Sequence, residues 1–465
     1  MTYAGDDDAT IVFPAVTINI SQVDTVRMLT AYAVLLFLIP ATLIFAPLGG
    51  EGTPAMVFSL CIFLWYLASW ISGRIEPTGG GRTVRITMLI FAIAVLASFV
   101  AAMTRDITQT EVLAADSALV WLVSGAGLVI VITETMREFD RLEVLLRRLV
   151  VLGSVIAAIG ILQFRGIDLT TVLHIPGLTV NSQDVIALMD RGGFIRPQST
   201  ASQPIEFSVV MALLLPLAIE QAFRHEYGGW LRRWVPVGLI GFAGPLTVSR
   251  SGIIGIGAGL LVLLPTWKLR RILGALGVLA VGVGLMRFLA HGLVTTFLNL
   301  FQGIFNGQDS SVNARVADYS GVSQYIVERP LFGRGFGTFL PQLYRYTDNM
   351  YLLAVVEIGV VGVIAIVILF CSGIQSAVLG RRRTRLPQQR ATGQALAASM
   401  VVALVTSATF DSFTFPMFSG LFFVLMGCCG AYCTIMTRNS GSPFLTAVPA
   451  PIPGGQVVRV NVGAR

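Results

Sequence analysis

Long apolar stretches that carry no charged residue recur along the whole of this 465-residue chain. Leu35 to Ala46 and Ile358 to Cys371 are two of them, and hydrophobic residues make up 55% of the sequence against 12% for charged residues. A soluble domain needs a far more polar surface than this. In lipid the backbone must satisfy its own hydrogen bonds, and these runs lack the two-residue alternation of barrel strands. The sequence therefore predicts an all-α polytopic membrane protein.

A helix needs about 20 apolar residues to cross the hydrocarbon layer of a bilayer, and about twelve stretches meet this requirement. They define a predicted transmembrane domain over residues 27–436. The predicted spans lie near residues 27–47, 55–73, 86–103, 117–134, 149–165, 205–222, 235–248, 252–267, 272–290, 351–373, 395–410 and 415–436.

Basic residues are concentrated in alternate connections between these spans, for example in 137–148 and 381–390. By the positive-inside rule these connections face the cytoplasm, which also places both termini there. The opposite side then carries two long extracytoplasmic loops, at about 166–204 and about 291–350. Long loops are uncommon and often functional, so we expect the function on the outer face.

The two ends of the chain are polar. Residues 1–26 are acidic and lack the basic start of a cleavable signal, which predicts a cytoplasmic N-terminal tail. Residues 437–465 contain many Gly and Pro residues, which predicts a disordered cytoplasmic C-terminal tail. The predicted location is the cytoplasmic (inner or plasma) membrane, which the chain crosses many times.

The formal charge of +7 does not indicate nucleic-acid binding, because the basic residues form short clusters between apolar spans rather than one continuous face. All five cysteines fall inside apolar spans, where a thiol is typically a small packing group. Neither a metal nor a cofactor is expected.

Several arginines lie on the predicted outer side, where the charge rule disfavours them, and three of these positions stand out. Arg250 occupies a tight turn between two apolar helices without an acidic neighbour in sequence, so its charge should be paired or used. It could also reach the lipid headgroups, but a planar guanidinium at an interface is well suited to bind phosphate. Arg196 is fixed by the following Pro197, and Arg315 precedes a glycine-rich run. The other outer arginines are Arg105, Arg165, Arg191, Arg329, Arg334 and Arg345.

The glycine-rich run Gly333-Arg334-Gly335-Phe336-Gly337 lacks the strand-to-helix context of a dinucleotide site, so it predicts a turn where the outer loop meets the membrane. Asp348 follows at the start of the next predicted span, where it could act as an acid or a base. Alternatively, Asp348 or Asn349 could cap the helix that begins there. Glu357 lies deeper, where it should pair with an arginine or bond to a neighbouring helix. Gly359 and Gly362 are expected to allow close helix packing.

Four segments, taken together and in this order, resemble motifs of the O-antigen ligase and polymerase superfamily of membrane glycosyltransferases, over roughly residues 150–435. The segments are Arg196-Pro197 through Glu206 to Leu217, Thr247 to Gly252, Arg315 with Pro330 to Phe339, and Asp348-Asn349 with Glu357-Ile358-Gly359.

This resemblance implies a metal-independent enzyme that passes a glycan from an undecaprenyl-diphosphate carrier to an acceptor hydroxyl in surface polysaccharide assembly. Arg196, Arg250 and Arg315 would bind the diphosphate, on which negative charge develops as the glycosidic bond breaks. Asp348 stands where ligases have a histidine and would act as the catalytic base, a change that a polymerase accommodates at least as well. The implied supporting residues are Asn349, Glu357, Glu206 and Arg334.

The implied partners are the lipid-linked glycan donor, a glycan or lipid acceptor, membrane lipids and other polysaccharide-assembly proteins. Two alternatives from other classes remain open at this stage. A transporter or lipid-linked glycan flippase would also use about a dozen helices with buried charges, but near the middle of the membrane. A structural membrane scaffold leaves the outer arginines unexplained.

Overall fold

The computed structural model describes residues 25–45, 52–75, 79–170, 175–180, 190–191, 194–224, 228–289 and 310–440. Most of the predicted tails, 1–26 and 437–465, lies outside these residues, as do parts of both predicted outer loops. Of these described residues, 76% are helical.

Thirteen α-helices form in the described part of the chain. They are α1 Thr25–Leu38, α2 Pro54–Ile71, α3 Arg82–Met103, α4 Gln109–Thr135, α5 Phe139–Phe164, α6 Pro204–Ala222, α7 Trp230–Leu246, α8 Arg250–Leu263, α9 Leu269–Leu289, α10 Ser310–Glu328, α11 Met350–Arg383, α12 Pro387–Thr406 and α13 Pro416–Ser440.

Seven of these helices are long and apolar enough to cross a membrane: α2, α3, α4, α5, α6, α11 and α13. Two shorter helical stretches, Thr25–Leu38 and Arg250–Thr266, are also apolar. The predicted helical membrane class is therefore confirmed, whereas the count of about twelve spans stays a prediction.

The structure differs from the sequence prediction in several places. The first predicted span, 27–47, ends early at Leu38, because Pro40 follows and the chain then forms the strand β1, Leu43–Ile44. This strand pairs antiparallel with β2, Thr179–Val180, and a second pair joins β3, Asp190–Arg191, to β4, Phe194–Ile195. The predicted outer loop 291–350 contains α10, whose polar sequence gives no hydropathy signal.

The N-terminal ends of α6, α8, α11 and α13 meet at one end of the helix bundle, which we call the Arg250 end. The main chain and side chains tie them together there. Glu206 in the first turn of α6 accepts hydrogen bonds from the amides of Met417 and Phe418 in α13, at 2.7 and 3.1 Å. At the start of α11, the Met350 amide donates to the Ser407 carbonyl at 3.1 Å.

Buried ion pairs mark the opposite end of the bundle. Arg224 bonds both Glu220 and Glu143, and Arg85 bonds Glu134. These arginines belong to the connections that the sequence predicts to be cytoplasmic. A charge at this depth is tolerated because its partner is within bonding distance.

Candidate functional site

The turn between α7 and α8 positions Arg250. Val248, a buried β-branched residue, has a φ of 52°, a left-handed conformation that such residues rarely adopt. This reversal lets α8 begin at Arg250, whose side chain is only 8% exposed. Strain of this kind persists where the surrounding structure fixes the backbone, and it is frequent in functional sites.

Arg196 reaches this same turn from the segment before α6. Its Nε donates a hydrogen bond to the Thr247 carbonyl at 2.8 Å. Two of the three predicted diphosphate-binding arginines are therefore brought to one place. Arg315 lies in α10, but its side chain is outside the described residues, so its predicted role stays untested.

The segment that follows Arg196 is held rigidly over the end of the bundle. The Gln163 side chain of α5 accepts hydrogen bonds from the amides of Gln198 and Ser199, at 2.9 and 2.7 Å. Glu206, predicted as a supporting residue, is completely buried and also bonds the Ser202 amide at 2.8 Å. Its carboxylate is used to join α6 to α13 and to the preceding segment.

Asn349 and Asp348 have different environments at the start of α11. The Asn349 side chain caps the helix by accepting from the amides of Tyr351 and Leu352, at 3.0 and 3.3 Å. Of the two predicted caps, Asn349 is thus the one that the structure uses. Asp348 lies just outside the helix and is exposed, as a group that meets a substrate must be.

Asp411 is a residue of this site that the sequence interpretation missed. It lies in the connection between α12 and α13, residues 407–415, and the Thr414 hydroxyl donates to its carboxylate. Burial raises the pKa of Asp411 to about 7, and the nearby Asp348 raises it as well. The available signal was a carboxylate in a very short predicted outer connection, outside the motifs that carried the resemblance.

The glycine-rich run packs directly against the Glu357-Ile358-Gly359 motif of α11. Gly359 has a φ of 68° and interrupts α11, and the turn segment 330–335 is inserted at the break. In a continuous helix, the backbone amides and carbonyls near Gly359 would bond to each other. Here they bond to this segment instead. The bonds run from Arg334 N to Val356 O (2.9 Å), Gly335 N to Glu357 O (2.9 Å), Val360 N to Pro330 O (2.9 Å) and Val361 N to Leu331 O (3.3 Å).

The glycines at this break have a different role from the predicted one. A Cβ atom at Gly359 would lie 2.2 Å from the Leu331 carbonyl oxygen, and one at Gly333 would lie 2.3 Å from the Glu357 backbone. The prediction that Gly359 serves helix packing is therefore wrong, because it breaks the helix and admits the segment. Gly362 instead makes room for the Ile358 side chain of its own helix.

Glu357 and Arg334 stabilise the inserted segment. The Glu357 carboxylate accepts a hydrogen bond from the Phe339 amide at 3.1 Å. Arg334 bonds Glu328 and the Tyr344 hydroxyl, both at 3.1 Å, and its guanidinium lies 4.9 Å from the centre of the Tyr325 ring. Glu357 thus bonds the chain that follows the inserted segment, and Arg334 bonds the segment to α10.

A comparison with family models finds a match to a family described as O-antigen ligase, over residues 235–367. The predicted relation to the O-antigen ligase and polymerase superfamily is confirmed. No curated protein matches the chain. The O-antigen ligase match covers the Arg250 turn, α10, the inserted segment and the first half of α11, whereas Arg196 and Asp411 lie outside it.

The O-antigen ligase family implies a glycosyltransferase-like enzyme, and together with the apolar helices it points to a multi-pass membrane protein. The residues at the Arg250 end fit this chemistry by type. Two arginines at one turn suit an anionic leaving group, and two carboxylates at the same end of the bundle suit proton transfer.

Proposed function

We propose that this protein transfers a glycan from an undecaprenyl-diphosphate carrier to an acceptor hydroxyl at the outer face of the cytoplasmic membrane. The observation that supports this most directly is the strained turn that holds Arg250, largely buried, at the start of α8 next to Arg196. Arg250 lies at the N-terminal end of α8, where the main-chain amides also favour an anion.

In this reaction the bond between the anomeric carbon and the diphosphate oxygen breaks, and the diphosphate leaves with the electron pair. Arg196 and Arg250, with Arg315 from α10, neutralise the charge that develops on it. Fixed guanidinium groups at a low-dielectric interface are effective at this, because they need no reorganisation as the charge forms. A diphosphate is already a good leaving group, so the proposal requires no metal, nucleotide or other cofactor.

The acceptor hydroxyl attacks the anomeric carbon and must lose its proton to a nearby base. Asp348, exposed at the start of α11, is the residue that would contact the acceptor. A polymerase would use a second lipid-linked glycan as acceptor, and a ligase would use a different lipid. In either case membrane lipids surround the helices and other polysaccharide-assembly proteins supply the donor.

The placement of the buried charges favours glycan transfer over transport. Transporters place ionisable residues midway along their helices. In the described part of this chain the strongest buried ion pairs lie near helix ends, as between Arg105 and Glu111 at 2.7 Å or between Arg224 and Glu220 at 2.5 Å.

The test replaces Arg196, Arg250 and Arg315 each by lysine and by alanine and measures surface glycan in cells. We expect each alanine variant to reduce transfer by roughly 100-fold or more, and each lysine variant to be impaired because lysine cannot bind phosphate in a bidentate way. Arg165, exposed at the end of α5 on the same predicted side, is the matched control and should tolerate both changes. Unchanged glycan in all six variants would end the proposal.

The same cells distinguish a polymerase from a ligase. The gene is deleted and the glycan is separated by chain length. Single repeat units in place of a ladder indicate a polymerase, whereas full-length polymer that remains on its lipid carrier indicates a ligase. An unchanged ladder on its final acceptor would contradict both forms of the proposal.

A further inference from the structure

Asp411 is placed next to Asp348 by main-chain hydrogen bonds between two parts of the chain. The Met350 amide donates to the carbonyls of Ser407 and Phe410, at 3.1 and 3.2 Å. The connection 407–415 is therefore docked on the start of α11, one residue after Asn349. This contact brings the carboxylates of Asp348 and Asp411 into electrostatic interaction.

The Arg250 turn lies at the same end of the bundle as this connection. Helices α8 and α12 pack closely, since a Cβ atom at Gly255 would lie 2.9 Å from the Thr406 side chain. Arg250 precedes Gly255 by five residues, or about 1.4 helical turns toward the Arg250 end. Residues 407–412 then fold back on themselves, as the Ser407 and Ser412 hydroxyls bond to each other at 2.8 Å, so Asp411 stays at the same end of the bundle as Arg250.

Burial, together with the neighbouring Asp348, favours a carboxylate at Asp411 that changes protonation near neutral pH. Burial raises its pKa to about 7, the neighbouring Asp348 also raises it, and the Thr414 hydroxyl bond lowers it. Arg250 and Arg196 lie at the adjoining α7–α8 turn, and the Glu206 carboxylate is bonded to Ser202 and to the start of α13. A general base works best when its pKa lies near the working pH.

We infer that Asp411 is the general base of the glycan transfer, and that Asp348 beside it orients the acceptor. The inference rests on the proposed function and refines it. The acceptor oxygen forms the new bond to the anomeric carbon, its proton passes to the Asp411 carboxylate, and the diphosphate leaves with the electron pair of the broken bond. Asp411 then releases the proton to water.

The first test uses purified protein and lipid-linked glycan extracted from cells that lack the gene, and follows transfer by gel over a range of pH. Wild-type transfer should rise as pH increases through about 7, because the base must be ionised. Asp411→Asn, which keeps the shape of the side chain, should lose roughly 100-fold or more at every pH. Asp106→Asn, at an exposed outer carboxylate between α3 and α4, is the control and should behave as wild type.

The second test changes the two neighbours and does not depend on whether Asp411→Asn folds. Asp348→Asn removes a negative charge, so the rise in activity should move to lower pH. Thr414→Val removes a hydrogen bond to the ionised form, so the rise should move to higher pH. A residue with a purely structural role would not produce two shifts of opposite sign.

The inference is overturned if Asp411→Asn transfers glycan with the wild-type pH profile, or if the two neighbour variants leave that profile in place. This failure can be told apart from failure of the proposed function. If Arg250→Ala still abolishes transfer, the glycan-transfer assignment stands and only the identity of the base is wrong.

Discussion

Glu357 in α11 bonds to the inserted segment and to its neighbours through both its carboxylate and its main-chain carbonyl. Glu357 accepts the Phe339 amide through Oε1 at 3.1 Å, while its own carbonyl accepts from Gly335 and from the Ser98 hydroxyl of α3 at 2.7 Å. Three parts of the chain therefore depend on one residue. This explains why an acidic residue is tolerated within an otherwise apolar helix: its bonds satisfy groups that lipid cannot.

Replacement of Glu357 should separate this bonding role from its charge. Glu357→Ala leaves the buried Phe339 amide without that acceptor, so we expect a loss of about 1–3 kcal/mol in stability. Glu357→Gln keeps an acceptor oxygen in the same place and should be much closer to wild type. Thermal unfolding of the purified protein in detergent measures both. Equal destabilisation by Ala and Gln would show that the charge, rather than the hydrogen bond, is what matters.

At the residue level, the sequence draws attention to a position where a rule of topology is violated and gives no signal where none is. Arg196 and Arg250 were found because arginine on the outer side defies the charge rule, and the structure places both at one turn. Asp411 does not violate the charge rule, because that rule disfavours arginine and lysine on the outer side, not carboxylates. Its significance arises from the docking of residues 407–415 on α11, a contact between segments 60 residues apart that local sequence does not encode.

At the level of elements, the break in α11 depends on two glycines in different segments. Gly359 adopts a φ of 68° in the helix, and Gly333 adopts a φ of 67° in the inserted segment. Each backbone occupies the space that a side chain on the other would need. The sequence shows that both positions are glycine but not that they face each other, so packing was the simpler interpretation of Gly359.

Gly359→Ala and Gly333→Ala should each destabilise the protein by roughly 2 kcal/mol or more, since alanine is strained at these φ values and its Cβ would meet backbone atoms. The matched control is Gly257→Ala in α8, where a Cβ atom meets nothing within 4 Å. This control should be neutral or stabilising by up to about 1 kcal/mol, as alanine is the better helix former. Wild-type melting temperatures for both break variants would contradict the described insertion.

The hydropathy of the sequence predicted the helices that are apolar along their whole length. It did not predict helices, or parts of helices, whose sequence is polar. Helix α10 is polar, so no apolar run marks it in the predicted outer loop. Helix α12 begins at Pro387, eight residues before the predicted span at 395, because its first turns carry Gln and Arg. A hydropathy window finds the part of a helix that suits lipid, whereas hydrogen bonding continues the helix into the polar boundary.

For the molecule as a whole, the proposed function requires that the Arg250 end face outward. The two ends of the bundle differ in a way that supports this. The basic connections converge on the end that holds Arg224 and Arg85, and the Arg250 end carries the inserted segment and α10. Under the positive-inside rule the basic end is cytoplasmic, so the donor would be used on the far side of the membrane from its synthesis.

Cysteine labelling tests this orientation directly. In a variant whose five cysteines are replaced, a single cysteine is introduced at Tyr346, which is 72% exposed beside Asp348, or at Arg385, exposed between α11 and α12. A membrane-impermeant maleimide should label Tyr346→Cys in intact spheroplasts and Arg385→Cys only after the cells are opened. The two cysteines flank α11, so one serves as control for the other. The reverse pattern would place the Arg250 end in the cytoplasm and exclude transfer at the outer face, even if the arginine variants are inactive.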